Sequence, residues 1–261
     1  MGNIMNSIWF GEKSTKNISD IKDCILQSDT ETKVILNLIE LFKIGDYTQK
    51  PLLIQLMNQT KDDAVLNLCI RIFFSISTHD DLRNSNNFHL LNEATEETVN
   101  TFASAATTSL SLDIIPYLLA LLEDWDEISD TSLILRDSID SFINYEEHLG
   151  EYVSVDEIGK YYVNISQEYD VDSYYFNKKL AFPGDLAKRL MERVLIAANN
   201  EEPLRMELIP SVLSIWTGVK VPAEYNTVIN ANNYKDFINY INVLSSKNWE
   251  KGQKYFYGHK L

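Results

Sequence analysis

Apolar residues along this chain recur at helical spacing in short runs, and polar residues interrupt those runs. The clearest stretch is 51–76, where Leu52, Leu53, Leu56 and Met57 share one helical face, Thr60 and Asp62 break it, and Val65, Leu68, Ile72 and Ile76 resume it. The spacing predicts a helical hairpin. Its second helix also carries Leu66, Ile70, Phe73 and Phe74, so it is apolar over much of its circumference and requires neighbours on more than one side.

The same pattern predicts further helices along the chain. Ser19 and Asp20 can cap a first helix to about Gln27, and Thr30 a second, through Val34, Leu38, Leu41 and Phe42 to Gly45. An Asn- and Asp-rich loop is expected over 79–87. Thr95 with Thr98, preceded by Glu93, then opens a helix of small residues through Ala103, Ala105 and Ala106. A second hairpin spans 112–145, followed by a tyrosine-rich helical segment with Tyr161, Tyr162, Tyr169, Tyr174 and Tyr175. Phe182-Pro183-Gly184-Asp185 starts a helix through Leu186, Leu190, Val194 and Ala197. Another ends at Trp216-Thr217-Gly218, a loop covers 219–225, and a last helix runs through Phe237, Ile241 and Leu244. At the ends, Ile8-Trp9-Phe10 predicts an apolar plug within 1–17, and the aromatic tail 246–261 predicts a docked cap.

Three apolar helices carry a proline, at Pro51, Pro116 and Pro210. Inside a helix a proline costs roughly 3 kcal/mol, by removing a donor and clashing with the preceding turn. Its recurrence therefore predicts a kinked or newly started helix. With the acidic turns Asp62-Asp63 and Asp126-Glu127, the chain resembles the HEAT-like family of α-solenoids. The resemblance implies an all-α fold, a right-handed superhelical stack of helical hairpins in one domain over 1–261. The proline spacing departs from a regular repeat of about 40–47 residues, which points to degenerate repeats with insertions.

Composition narrows the class. Hydrophobic residues make up 45% of the chain and aromatics 11%, enough for a core and unlike a disordered protein. Asn and Ile stand where Ala would serve a helix better, as in AT-rich bacterial genomes. Cys24 and Cys69 have apolar helical settings without C-x-x-C spacing, which predicts free thiols and a reducing cytoplasm. No apolar run reaches the roughly 18–20 residues of a membrane span, and a basic-then-apolar leader is missing, so a membrane or secreted location is not expected. Met1-Gly2 is not a myristoylation start, because Asn6 stands where Ser or Thr is required.

Candidate chemistry is sparse. His79, His89, His148 and His259 lie apart, without metalloprotease spacing. No phosphate loop, dinucleotide fingerprint or nucleophile elbow is present. Asp170 and Asp172 imitate a calcium loop that lacks its glycine and terminal glutamate. No catalytic residue, cofactor or metal is expected.

Charge changes the picture. Residues 92–157 hold sixteen acids against one base, Arg136, and this segment alone accounts for the formal net charge of −15; elsewhere acids and bases balance. The C-terminal end is mildly basic, with Lys235, Lys247, Lys251, Lys254 and Lys260 against Asp236 and Glu250. Charge of one sign costs stability by self-repulsion and provides solubility and fast encounter with a basic partner. A solvated helical face is the plain alternative. However, the acids gather at a hairpin turn around Trp125, an aromatic anchor in a charged rim. The expected partner-binding residues are Glu123, Asp124, Trp125, Asp126, Glu127, Asp130, Asp137 and Asp140.

An acidic, motif-free helical chain of this kind resembles the immunity proteins of bacterial polymorphic toxin and contact-dependent inhibition systems. Within them it resembles a HEAT-like family in which Ser7-Ile8-Trp9-Phe10-Gly11-Glu12 and the tail from Trp249 to Gly258 bracket a helical body. The resemblance implies a cytoplasmic protein that binds a cognate toxin domain, often a basic nuclease, and occludes its active site or substrate groove. Two other classes share the architecture. A HEAT-like DNA glycosylase needs a positive channel, which the acidic segment opposes. A housekeeping adaptor would look the same in sequence, and gene neighbourhood separates the two.

Overall fold

Helices α1 (Ile18–Leu26), α2 (Glu31–Lys43), α3 (Lys50–Gln59) and α4 (Asp63–Ile76) follow one another over the first third of the chain. The computed structural model describes residues 14–127, 129–151 and 153–261. The expected plug at Ile8-Trp9-Phe10 and the Ser7–Glu12 motif lie outside them. The fold is all-α, and the described residues divide into two units. The first comprises Cys24–Leu38 and Tyr47–Leu180; the second comprises the described residues up to Asp23, with Ile39–Asp46 and Ala181–Leu261.

In the first unit, Asp62 turns α3 into α4 by accepting backbone hydrogen bonds from Ala64 at 2.9 Å and Val65 at 3.1 Å. The acid in this turn is thus a helix cap. The apolar circumference of α4 is buried as its pattern requires: it packs against α3 and against α6 (Glu96–Ala106), which Thr95 caps. α6 in turn packs on α8 (Ser129–Ile143), which packs on α7 (Ile115–Trp125). Phe74 lies edge-on to Phe102 at 4.9 Å, and Phe88 contacts Tyr117 at 4.6 Å, so aromatic rings tie four segments together. Each buried side chain of this size contributes roughly 1.5–3 kcal/mol.

Of the two readings of the prolines the newly started helix holds, and other expectations are corrected. Pro51 and Pro116 occupy the first turn of α3 and α7, and Pro210 is the third residue of a later helix, so the prolines start helices and kink none. There the missing donor costs nothing, since first-turn N–H groups have no intrahelical partner. The loop expected over 79–87 is a short helix, α5 (His79–Arg83), followed by a 3-10 segment, Ser85–Glu93. Thr78 and Asp81 cap α5 reciprocally, Lys50 pairs with Asp81 at 2.7 Å, and buried Phe88 fastens the segment that follows. At α1 the cap is Asn17, whose side chain accepts from the Ser19 backbone at 3.0 Å, rather than Ser19 or Asp20. Cys24 is exposed on that helix, whereas Cys69 is buried in α4 as expected; both are free thiols.

The tyrosine-rich segment is only partly helical. After α9 (Glu146–Leu149), α10 (Val155–Ser166) carries Tyr161 and Tyr162, but Tyr175 belongs to an antiparallel hairpin of β1 (Tyr175–Phe176) and β2 (Lys179–Leu180). Asn177 and Lys178 at its turn both have positive φ, the geometry that matches strand twist in a two-residue hairpin.

The second unit contains α11 (Pro183–Asn200), α12 (Leu208–Thr217) and α13 (Tyr234–Ser245), with α12 and α13 both packed on α11. It closes with a hairpin of β3 (Tyr255–Phe256) and β4 (His259–Lys260), turned at Tyr257 and Gly258. The tail docks on α12 by backbone bonds: Tyr257 N–H donates to Ile215 at 2.8 Å and Gly258 N–H to Trp216 at 2.6 Å. These are carbonyls that a helix end leaves without partners. Gly218 has φ +66° and lies so close to Tyr257 that a Cβ would meet its ring at 2.7 Å, so this position requires glycine twice over.

Each unit ends in the same small module. Tyr175 and Tyr255 start the two hairpins, and their hydroxyls accept at 2.9 Å from the backbone of Asp170 and Glu250 respectively. Tyr169 and Trp249 stand edge-on to these two tyrosines at 4.6 Å and 4.7 Å. One helix, one aromatic latch and one two-residue hairpin are therefore used twice.

Candidate functional site

The predicted site is built on the hairpin of α7 and α8. α7 buries Ile115, Leu118, Leu121 and Leu122, which leaves Pro116, Ala120, Glu123 and Asp124 exposed. α8 buries Leu135, Ile139, Phe142 and Ile143, with Thr131 and Ser132 also buried near its start. Between them Asp126 and Glu127 form the turn.

Of the eight predicted residues, Glu123, Asp124, Asp126, Glu127, Asp130 and Asp137 are exposed, and Trp125 and Asp140 are half-buried. Their roles differ. Asp126 accepts from the Arg136 guanidinium at 2.8 Å and from Ser132 Oγ at 2.9 Å. These bonds, the one from Arg136 foremost, hold its carboxyl below the usual range. Arg136 also donates to the Val153 carbonyl at 2.8 Å, so the one base of the acidic segment is spent on tying the turn down. Asp140 caps α9 by accepting from the Glu146 backbone at 2.9 Å. In contrast, Glu123, Asp124, Glu127 and Asp130 form no ion pair among the described residues.

A second group gathers along the C-terminal half of α8 and the start of α9. Partial burial, then the charges of Asp140 and Glu151, raises the Asp137 carboxyl above its ordinary range. Glu146 is raised by burial and by Asp140, Asp137 and Glu151. Sequence reasoning left Glu146 and Glu151 out of the site; their approach depends on the chain folding back through α9 after α8. Like charges held together in this way are unfavourable in the free protein. Among the described residues no group of three or more histidine, cysteine or acidic side chains could hold a metal ion.

One other polar cluster imitates chemistry. His79 Nδ1 lies 2.7 Å from Asp113 Oδ2 and 3.0 Å from Ser111 Oγ, and its ring stacks on Tyr174 at 4.3 Å. A nucleophile–base relay needs serine and acid on opposite ring nitrogens. Here both address the same nitrogen, and Nε2 is buried without a hydrogen-bond partner among the described residues. Arg83 reaches Asp113 at 3.2 Å and the Val171 carbonyl at 2.7 Å, so the cluster joins α5, the 3-10 turn at Leu112–Ile114 and the loop before β1. It is a fastening within the first unit.

No helix among the described residues is long and apolar enough to cross a membrane. No curated protein and no solved structure matches the chain. The sequence profile of one family, described as immunity protein 47, matches residues 4–261.

Proposed function

The chain belongs to the immunity protein 47 family, and from that premise we propose that it neutralises a cognate toxin domain in the bacterial cytoplasm by binding it with the acidic surface of residues 92–157. The observation that carries this reading is the set of exposed carboxylates at Glu123, Asp124, Glu127 and Asp130, which form no ion pair among the described residues, around half-buried Trp125. A partner with a basic surface, such as a nuclease domain with its substrate groove, complements that field and is drawn to it over long range. Binding there would occlude the groove and needs no chemistry from the immunity protein, which we read as non-catalytic. A contact-dependent inhibition system is one setting that delivers such a toxin.

The packing of α4, α6 and α8 in succession, with α3, Ser85–Glu93 and α7 beside them, supports reading the first unit as a stack of degenerate HEAT-like hairpins. A surface of that type suits a large, preformed interface. A DNA glycosylase is disfavoured, since an acidic face repels phosphate.

The test is co-expression with the toxin domain encoded beside the gene, together with binding kinetics on its inactivated form. Reversing Glu123, Asp124, Glu127 and Asp130 to lysine should slow association about 10- to 1,000-fold at low salt and weaken protection of the cell. Wild-type protection and association at physiological salt would overturn the reading.

A further inference from the structure

α10 is a twelve-residue helix with a single fully buried residue, Ile158. It lies against α7, and along their junction runs an open groove of about 900 Å³. Its apolar lining is not covered by any described segment. Val163 is 56% exposed, Pro116 and Ala120 are exposed, and Leu119 is half-buried. Gly159 forms part of the floor, and a Cβ placed there would meet nothing nearer than Leu119 Cδ1 at 4.0 Å. Glu123 and Asp156 stand at the rim, both exposed and without an ion pair among the described residues; Lys160 is the one base in the lining.

We propose that this groove seats an amphipathic helix of the toxin domain, with an apolar ridge laid over Ala120, Leu119 and Val163 and lysine or arginine beside Glu123 and Asp156. The proposal rests on the immunity reading and names the partner element it recognises. Charge complementarity selects the occupant: Glu123 belongs both to the groove rim and to the acidic segment that ends α7, so a basic helix seated here also meets the field of that segment. The walls select its form. Two helices side by side present ridges and grooves that a third helix can fill, and among the described residues no strand edge lines the junction. α10 is about 18 Å long at 1.5 Å per residue, which sets an occupant of roughly three turns. Lys160 would face an acidic or polar position on it.

The experiment uses the full chain and the catalytically inactivated toxin domain encoded beside its gene. Ala120→Trp fills the groove, and Val163→Gln removes its apolar edge at a position exposed enough to leave folding intact. Each should weaken binding at least tenfold with an unchanged melting temperature, and a photo-crosslinking residue at position 120 should capture a toxin peptide that is helical, apolar on one side and basic at its flanks. If Val163→Gln and Ala120→Trp bind as wild type while reversal of Glu127 and Asp130 abolishes binding, the groove is not the seat and the acidic-face reading survives. If neither groove nor turn variants change binding, the acidic-face reading fails as well. A captured peptide that is acidic or extended would overturn the helix proposal on its own.

Discussion

Asp126 and Glu127 are neighbours in one turn, yet only the first has partners there. Asp126 is held by Arg136 and Ser132, whereas Glu127 has no ion pair among the described residues. Asp126→Ala should therefore lower stability by about 1 kcal/mol, or roughly 2–4 °C in melting temperature. Glu127→Lys should leave the melt unchanged and slow association. Equal melts for both variants would mean that the Arg136 contact contributes nothing. Trp125→Ala should mainly speed dissociation, by on the order of 2 kcal/mol if the exposed part of the ring anchors the partner; stopped-flow binding separates the two rates. The cysteines differ in the same way. Burial pushes the Cys69 thiol far up, while Cys24 is exposed. Thiol titration should find one reactive group in the native protein and two after denaturation, and two fast groups in the native state would contradict the burial of Cys69.

Among the elements, the C-terminal hairpin and the segment from α8 to α9 act in opposite senses. The hairpin stabilises: Tyr255, Phe256 and Tyr257 are all buried, and the tail satisfies carbonyls at the end of α12. Tyr257→Ala should cost about 3–5 kcal/mol, as for a large aromatic in a core, and deletion of 249–261 should cost more. A thermal melt unchanged by either would remove the tail from the core. The acidic cluster of Asp137 and Glu146 destabilises at neutral pH. Their folded pKa values are raised, so the stability linked to their protonation is complete below their unfolded values, near 4, and is lost as pH rises through the folded values. Asp137→Asn with Glu146→Gln should accordingly raise the melting temperature at pH 7, with the difference closing below about pH 4. A gap independent of pH would show that repulsion is not its cause.

At the scale of the whole molecule, a net charge of −15 originates in one quarter of the chain. Fields from so concentrated a source reach beyond contact distance at low salt and are cut to about 8 Å at physiological ionic strength. Association with the neighbouring toxin domain should slow steeply as salt rises, and the slope should flatten when Glu123, Asp124, Glu127 and Asp130 are reversed. An equal slope in both proteins would place the steering charge elsewhere. Affinity once bound is expected to depend on the apolar groove and Trp125, because exposed rim charges act mostly on encounter.

Most helices and the location of the charge were legible in the order of residues alone. Helix bonds join residues four apart, so periodicity, the Asp62, Thr30 and Thr95 caps and the stop at Gly218 were all written locally. The burial of α4 on several sides also followed from its composition. Other features depended on partners distant in sequence. The helical form of 79–93 depends on Lys50 and on buried Phe88. The two hairpins were legible only in the repeated Tyr-Phe start, a signal too short to outweigh helical neighbours. That Asp126 is tethered while Glu127 has no ion pair among the described residues depends on the turn bringing Arg136 back to Asp126, and the groove exists only because α10 returns to α7. These points lay beyond local pattern because it states which face of a helix must be covered, whereas the long-range packing of the chain sets what covers it and what stays open to a partner.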